Sequence, residues 1–101
     1  MGRKNLSWIL VMIYRDNEIA DDVVIRNFIE SIDPIELKWH RDDEDRTKVS
    51  INETNWLIQL ENKLPQSLNS PIFIARGEWH RVIKGTGELN VKIIKSDGFY
   101  K

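Results

Sequence analysis

From Leu6 to Tyr14 the chain reads LSWILVMIY, an uncharged run rich in β-branched and aromatic residues. Such a run suits a central strand covered on both faces. Apolar positions then return at Ile19, Val23, Val24, Phe28, Ile29 and Ile32, a spacing that predicts an amphipathic helix from about 17 to 32. Asp16 and Asn17 offer N-cap oxygens, and Glu18, Asp21 and Asp22 put negative charge where the helix dipole favours it. Pro34 ends that helix, because the residue before a proline is pushed out of the α region.

Ile35, Leu37 and Trp39 alternate with Glu36, Lys38 and His40, the pattern of a half-buried strand. Trp39 would then pack at the edge of the core, and His40 would be exposed. Arg41–Arg46 is a charged hairpin tip, and Lys48–Ile51 alternates again as the return strand. Asn52 caps a second expected helix through Leu64, with Trp56, Leu57, Leu60 and Leu64 inward, until Pro65 stops it. Pro71–Ala75 and Trp79–Lys84 read as strands around an irregularity at Gly77. Gly85-Thr86-Gly87 reads as a hairpin turn, and Leu89, Val91 and Ile93 alternate along a last strand.

The order is β-α-β-β-α-β-β. Its first six elements match the ferredoxin-like plan, an antiparallel sheet with both helices on one face, and a C-terminal strand is added. The expected fold is therefore a single α+β domain over residues 1–101, with short flexible ends at about 1–5 and 96–101. Two stretches look alike after each helix: Asp33-Pro34-Ile35 leads to Trp39-His40-Arg41, and Ser70-Pro71-Ile72 leads to Trp79-His80-Arg81. The prolines are 37 apart and the triplets 40 apart, so a strict repeat period fails. Coincidence on a common strand pattern is the preferred reading.

Composition narrows the function classes. With 41% hydrophobic residues and four Trp among 101 residues, the chain can bury a core. It has no cysteine, which removes disulfides and thiolate metal sites and fits a reducing cytoplasm. The apolar run is far shorter than the roughly 20 residues a membrane helix needs. Net charge is −1, with 8 basic and 11 acidic side chains up to residue 50 and 7 and 5 after it. That balance gives no field strong enough to dictate a partner.

No catalytic signature is present: there is no Gly-x-Ser-x-Gly context, and Gly85-x-Gly87 is too short to cradle a phosphate. Glu36 with His40 and Glu78 with His80 share strand faces, where a solvated pair is the ordinary outcome. Metal binding would need His40, His80 and a carboxylate to converge. The acidic run Asp42-Asp43-Glu44-Asp45 lacks the spacing of a calcium loop and reads as a solvated tip. No catalytic residue, metal ligand or cofactor is assigned.

What remains is a non-enzymatic protein-binding module, an inhibitor or immunity-type protein that neutralises a larger partner. Its expected contact residues are Trp39, His40, Arg41, Asp42, Asp43, Glu44, Asp45, Trp79, His80 and Arg81, because Trp and Arg dominate binding hot spots. The alternative is a single-stranded RNA or DNA binder that stacks bases on Trp8, Tyr14, Trp39 and Trp79, with Arg41, Arg81, Lys84 and Lys92 on phosphates. Self-association as a homodimer through an open sheet face or the last strand completes the expected partners.

Overall fold

The computed structural model describes residues 14–96. Among these residues there are eight strands: β1 (Arg15–Ala20), β2 (Val23–Phe28), β3 (Arg46–Ser50), β4 (Leu57–Leu60), β5 (Gln66–Ser67), β6 (Ile72–Ile74), β7 (His80–Ile83) and β8 (Leu89–Lys95). A 3-10 turn at Pro34–Glu36 is the helical element among the described residues. The strand expected at Leu6–Tyr14 lies outside the described residues apart from Tyr14. No helix among the described residues is long and apolar enough to cross a membrane.

All strand pairs are antiparallel, and they form two sheets. The larger has the order β1-β2-β8-β3-β6 and the smaller β5-β4-β7. The α+β, ferredoxin-like expectation with two helices on one sheet face is thus corrected to an all-β architecture. β8 lies in the middle of the larger sheet, so the last strand offers no free edge. Gly85-Thr86-Gly87 is not a hairpin turn either, because β7 pairs with β4 while β8 pairs with β2 and β3. It carries the chain from one sheet to the other.

Both expected helices failed for the same reason. Residues four apart share a face in a helix and also in a strand, where one inward residue stands between them. In β2 the buried residues are Val24 and Phe28, and the inward position between them is Arg26, half-buried. A charged residue at that position disguises the period of two. Asp21 and Asp22 are the turn of a β1–β2 hairpin, not the first turns of a helix. Along the second stretch, Trp56, Ile58 and Leu60 are buried in alternation while Leu64, expected inward, is 83% exposed. Asn62 takes a φ of 63° in the turn that follows β4, a left-handed conformation that Asn tolerates.

The core lies between the sheets. Val24, Phe28, Ile74, Leu89, Val91 and Ile93 come from the larger sheet, and Ile58, Leu60 and Val82 from the smaller, with Trp56 and Leu68 beside its strands. Trp56 spans the gap: its ring centroid lies 5.9 Å from that of Phe28, and its indole N–H donates to Gly87 O at 3.1 Å. Gly85 permits the crossing below it, since a Cβ there would stand 2.2 Å from Asn55 Oδ1. The alternation Leu89–Val91–Ile93 is as expected, all three being buried. One row breaks the apolar rule: Val24, Ile93, Lys48 and Ile72 are neighbours across β2, β8, β3 and β6. Lys48 is as buried as the residues around it.

Candidate metal centre

Three side chains from the smaller sheet and its flank converge opposite Lys48. His80 opens β7 and is fully buried. His40 sits in an isolated antiparallel bridge directly across from it, and the two imidazole centroids are 4.2 Å apart. Asp42, two residues on, points the same way, as the alternation of an extended segment dictates. One donor atom from each of His40, Asp42 and His80 lies within 4.8 Å of the others.

The imidazoles are oriented alike. His40 Nδ1 lies 3.2 Å from Lys38 O, and His80 Nδ1 lies 2.8 Å from Glu78 O. A carbonyl only accepts, so each Nδ1 carries a proton, and a ring in its neutral form keeps the lone pair of Nε2 for a further partner. A metal-ligating histidine is held in this way by a backbone carbonyl behind it. Burial, with His80 and Lys48 nearby, pushes the His40 pKa below its ordinary value despite the Lys38 carbonyl, which favours the neutral ring near pH 7.

Asp42 supplies the oxygen. Its Oδ1 lies 3.3 Å from Arg46 Nη1, and Arg46 also grips Glu44 through Nε. Its Oδ2 is buried without a hydrogen bond although it lies 3.3 Å from His80 Nε2. In the tautomer described, two lone pairs face each other there, an arrangement that a proton or a cation between them would relieve. Burial pushes the Asp42 carboxyl up, but Lys48 and Arg46, with His80 whenever a proton sits on its Nε2, outweigh it and hold it well below the usual carboxylate range.

Lys48 is the discordant member. Its Nζ lies 3.3 Å from His80 Nε2 and can donate to it. Burial, with Arg26 and Arg46 nearby, lowers its pKa to about 8 against the opposing pull of Asp42. Two imidazole nitrogens and one carboxylate oxygen fit a first-row divalent ion, the 2-His-1-carboxylate donor set. A cation binding at His80 would take the place of the Lys48 ammonium at Nε2.

The residues expected to form a contact surface divide between two sides of the bridge. His40, Asp42 and His80 face the interior. Trp39 and Trp79 stay 41% and 39% exposed on the outside, so Trp39 is not a core residue. Arg41 and Arg81 accompany them, each over the ring of the other triplet's Trp. Asp43 is exposed, Glu44 holds Arg46, and Asp45 Oδ1 accepts from Arg76 N–H at 2.8 Å. Glu78 uses its carboxylate to accept from Ala75 N–H and does not pair with His80 through it. Sequence reasoning missed Arg26, Arg46 and Lys48. The signal for them was a charged residue at an inward position of a strand, which the altered phase of the pattern concealed.

The sequence matches no protein-family model and no curated protein. Solved structures do match in fold. The Fe(II) form of HppE aligns at a TM-score of 0.58 and 13% identity, over 82% of this chain and 48% of that one. A structure of DMSP lyases gives 0.58 and 15%, over 78% and 40%. A cupin domain from Bordetella pertussis Tohama I gives 0.52 and 17%, over 83% and 92%. This chain spans about half or less of the first two and most of the third. The fold is therefore cupin-like, two antiparallel sheets that face each other around a core.

These findings overturn the non-enzymatic inhibitor or immunity-type reading. It rested on the lack of a catalytic or metal-ligating constellation, and on a ferredoxin-like sheet. The structure brings such a constellation together, the sheet is absent, and the fold is one that lyases carry. The nucleic-acid alternative was also argued from a ferredoxin-like sheet, which this fold does not have.

Proposed function

We propose that this chain is a metal-dependent enzyme of cupin-like fold, with His40, Asp42 and His80 holding a divalent transition metal. The observation that carries the reading is the buried Asp42 Oδ2, which has no hydrogen bond and lies 3.3 Å from the Nε2 of an imidazole whose Nδ1 is turned to the Glu78 carbonyl. The similarity to the Fe(II) form of HppE and to a DMSP lyase supports it at the level of fold. A bound divalent ion would supply a Lewis acid that polarises a substrate oxygen.

The chain's own residues shape what can approach. A cavity of about 410 Å³ is lined by His40 and Asp42 together with Tyr14, Arg26, Phe28 and Arg46. Its volume suits a small molecule. Arg26 and Arg46 favour one that carries an anionic group, and Phe28 and Tyr14 give the cavity an aromatic side. Arg26 is itself steadied by a paired contact with Asp16 and by the Tyr14 ring, 3.9 Å below its guanidinium. The lack of cysteine supports a cytoplasmic location, which fractionation of the host would check.

The test is titration with Co(II), followed by visible absorption and calorimetry. One equivalent should bind with a ligand-field spectrum, and Asp42→Ala and His80→Ala should lose saturable binding. A folded wild-type chain that binds none of Co(II), Zn(II), Mn(II) or Fe(II) saturably would sink the reading.

A further inference from the structure

The Trp-His-Arg triplet occurs twice, at 39–41 and 79–81, and in the folded chain the two copies pair with each other. His40 and His80 exchange both backbone hydrogen bonds, N–H to carbonyl, at 2.9 Å each way. In an antiparallel pair centred on them, Trp39 stands beside Arg81 and Arg41 beside Trp79. The Arg81 guanidinium lies 4.9 Å from the centroid of the Trp39 ring, and that of Arg41 lies 5.1 Å from Trp79. The triplet is thus complementary to itself: run antiparallel, each tryptophan meets the other copy's arginine. Side chains alternate across the bridge, so both crossed pairs lie outside and both imidazoles inside.

The bridge needs such support. It is one residue long, and the segment from Leu37 to Asp45 belongs to no strand. Beyond the His40–His80 pair, this segment's backbone is tied to the Ala75–Glu78 turn by Gly77 N–H to Asp42 O at 2.9 Å. Two of the three donors of the proposed metal centre sit on this segment, and the third sits opposite.

We propose that Trp39–Arg81 and Trp79–Arg41 are positioning residues that clamp the bridge and so hold both imidazoles in register for a metal. The inference rests on the metal-site reading for its purpose, but the clamp can be read without metal. Each pair is weak alone at an exposed site; lost together they cost about tenfold in the closed population of the bridge. Residues behind metal ligands change affinity by roughly 10–100-fold when altered.

The experiment uses the whole chain with Arg41→Met, the double variant Arg41→Met/Arg81→Met and the double Arg41→Lys/Arg81→Lys. Arg41→Met is the clean change, since the Arg41 guanidinium has no hydrogen bond or ion pair among the described residues, whereas Arg81 also donates to Gln59 Oε1. Leu64→Ser is the control, because Leu64 lines the same outer groove as the two tryptophans. In the metal-free chain, amide exchange at His40 and His80 should quicken about tenfold in the double Met variant and less in Arg41→Met. Val91 in the other sheet should be unchanged, which separates local loosening from unfolding. The double Lys variant, which keeps both cations, should restore most of the protection. The double Met variant should bind Co(II) up to about tenfold more weakly, with an altered ligand-field band, while its melting temperature stays near that of wild type. Unchanged exchange at His40 and His80 overturns the clamp whatever the metal does. Faster exchange with wild-type Co(II) affinity and spectrum overturns its positioning role. Failure of the wild type to bind Co(II) counts against the metal reading alone, and exchange still decides the clamp.

Discussion

The space between the two sheets has two unlike halves. Around Trp56 it is apolar, with the Phe28 ring 5.9 Å from the indole, and the one polar atom of the indole finds a backbone carbonyl. Around Lys48 it holds Arg26 and Arg46 from the larger sheet and His40, Asp42 and His80 from the other side. The first half stabilises the fold by removing apolar surface from water. The second costs stability, because charges leave water and Asp42 Oδ2 remains without a hydrogen bond. Costly polar groups gathered at one place are what the proposed metal site would need, and the apolar half holds them still.

The comparison predicts opposite responses to substitution. Trp56→Ala should give the largest effect, a loss of about 3–5 kcal/mol read from urea denaturation, since it removes a large, fully buried side chain from the core. A loss under about 1 kcal/mol would mean that the core is not centred there.

Lys48→Met should act the other way and stabilise the metal-free chain by about 1–3 kcal/mol, because a desolvated ammonium is replaced by an apolar side chain of similar length. Asp42 is not left uncompensated, since Arg46 remains beside it. The gain should depend on pH with a definite sign. The folded-state pKa of Lys48 is about 8, below the ordinary 10.5. Between those values the unfolded chain binds a proton that the folded one sheds, so wild-type stability rises with pH. The advantage of Lys48→Met should therefore be full below pH 8 and shrink toward pH 10.5. Denaturation at pH 7 and pH 10 checks it, and a difference that grows with pH would refute the assignment.

The smallest expected effect lies on the acid side. The Asp42 carboxyl is depressed in the folded state, so its contribution is present above the ordinary carboxylate pKa and is lost as pH falls through the folded value. His40, also depressed, adds a loss of the same sign just below its ordinary 6.5, because the unfolded ring takes up a proton first. Asp42→Asn should flatten the acid limb of the stability profile, and His40→Gln the part near neutrality. Identical profiles for wild type and both variants would show that neither group is coupled to folding.

Much of the second half of the chain could be read from its residues. The alternation of β8, the strand at Ile72–Ile74 and the breaks at Gly77 and Gly87 all needed only local pattern, because no charged residue stands at their inward positions. The segments around Trp39–Asp45 and Trp79–Arg81 were singled out from the sequence, but as a surface for a protein partner. The condition that a metal would need both histidines and a carboxylate was legible too.

What the residues could not decide was the phase and the partner of each segment. Arg26 and Lys48 occupy inward strand positions, and a charge there makes a period of two look like a helix in β2 and turns β3 inside out. His40, alternating with Leu37 and Trp39 on paper, comes inward because the chain leaves the strand path at Pro34–Glu36. Above all, the two Trp-His-Arg triplets stand 40 residues apart, and nothing local says that they pair. Composition and periodicity report the short-range energy of a segment. The site is made by long-range contacts, and these exist only once both sheets are in place.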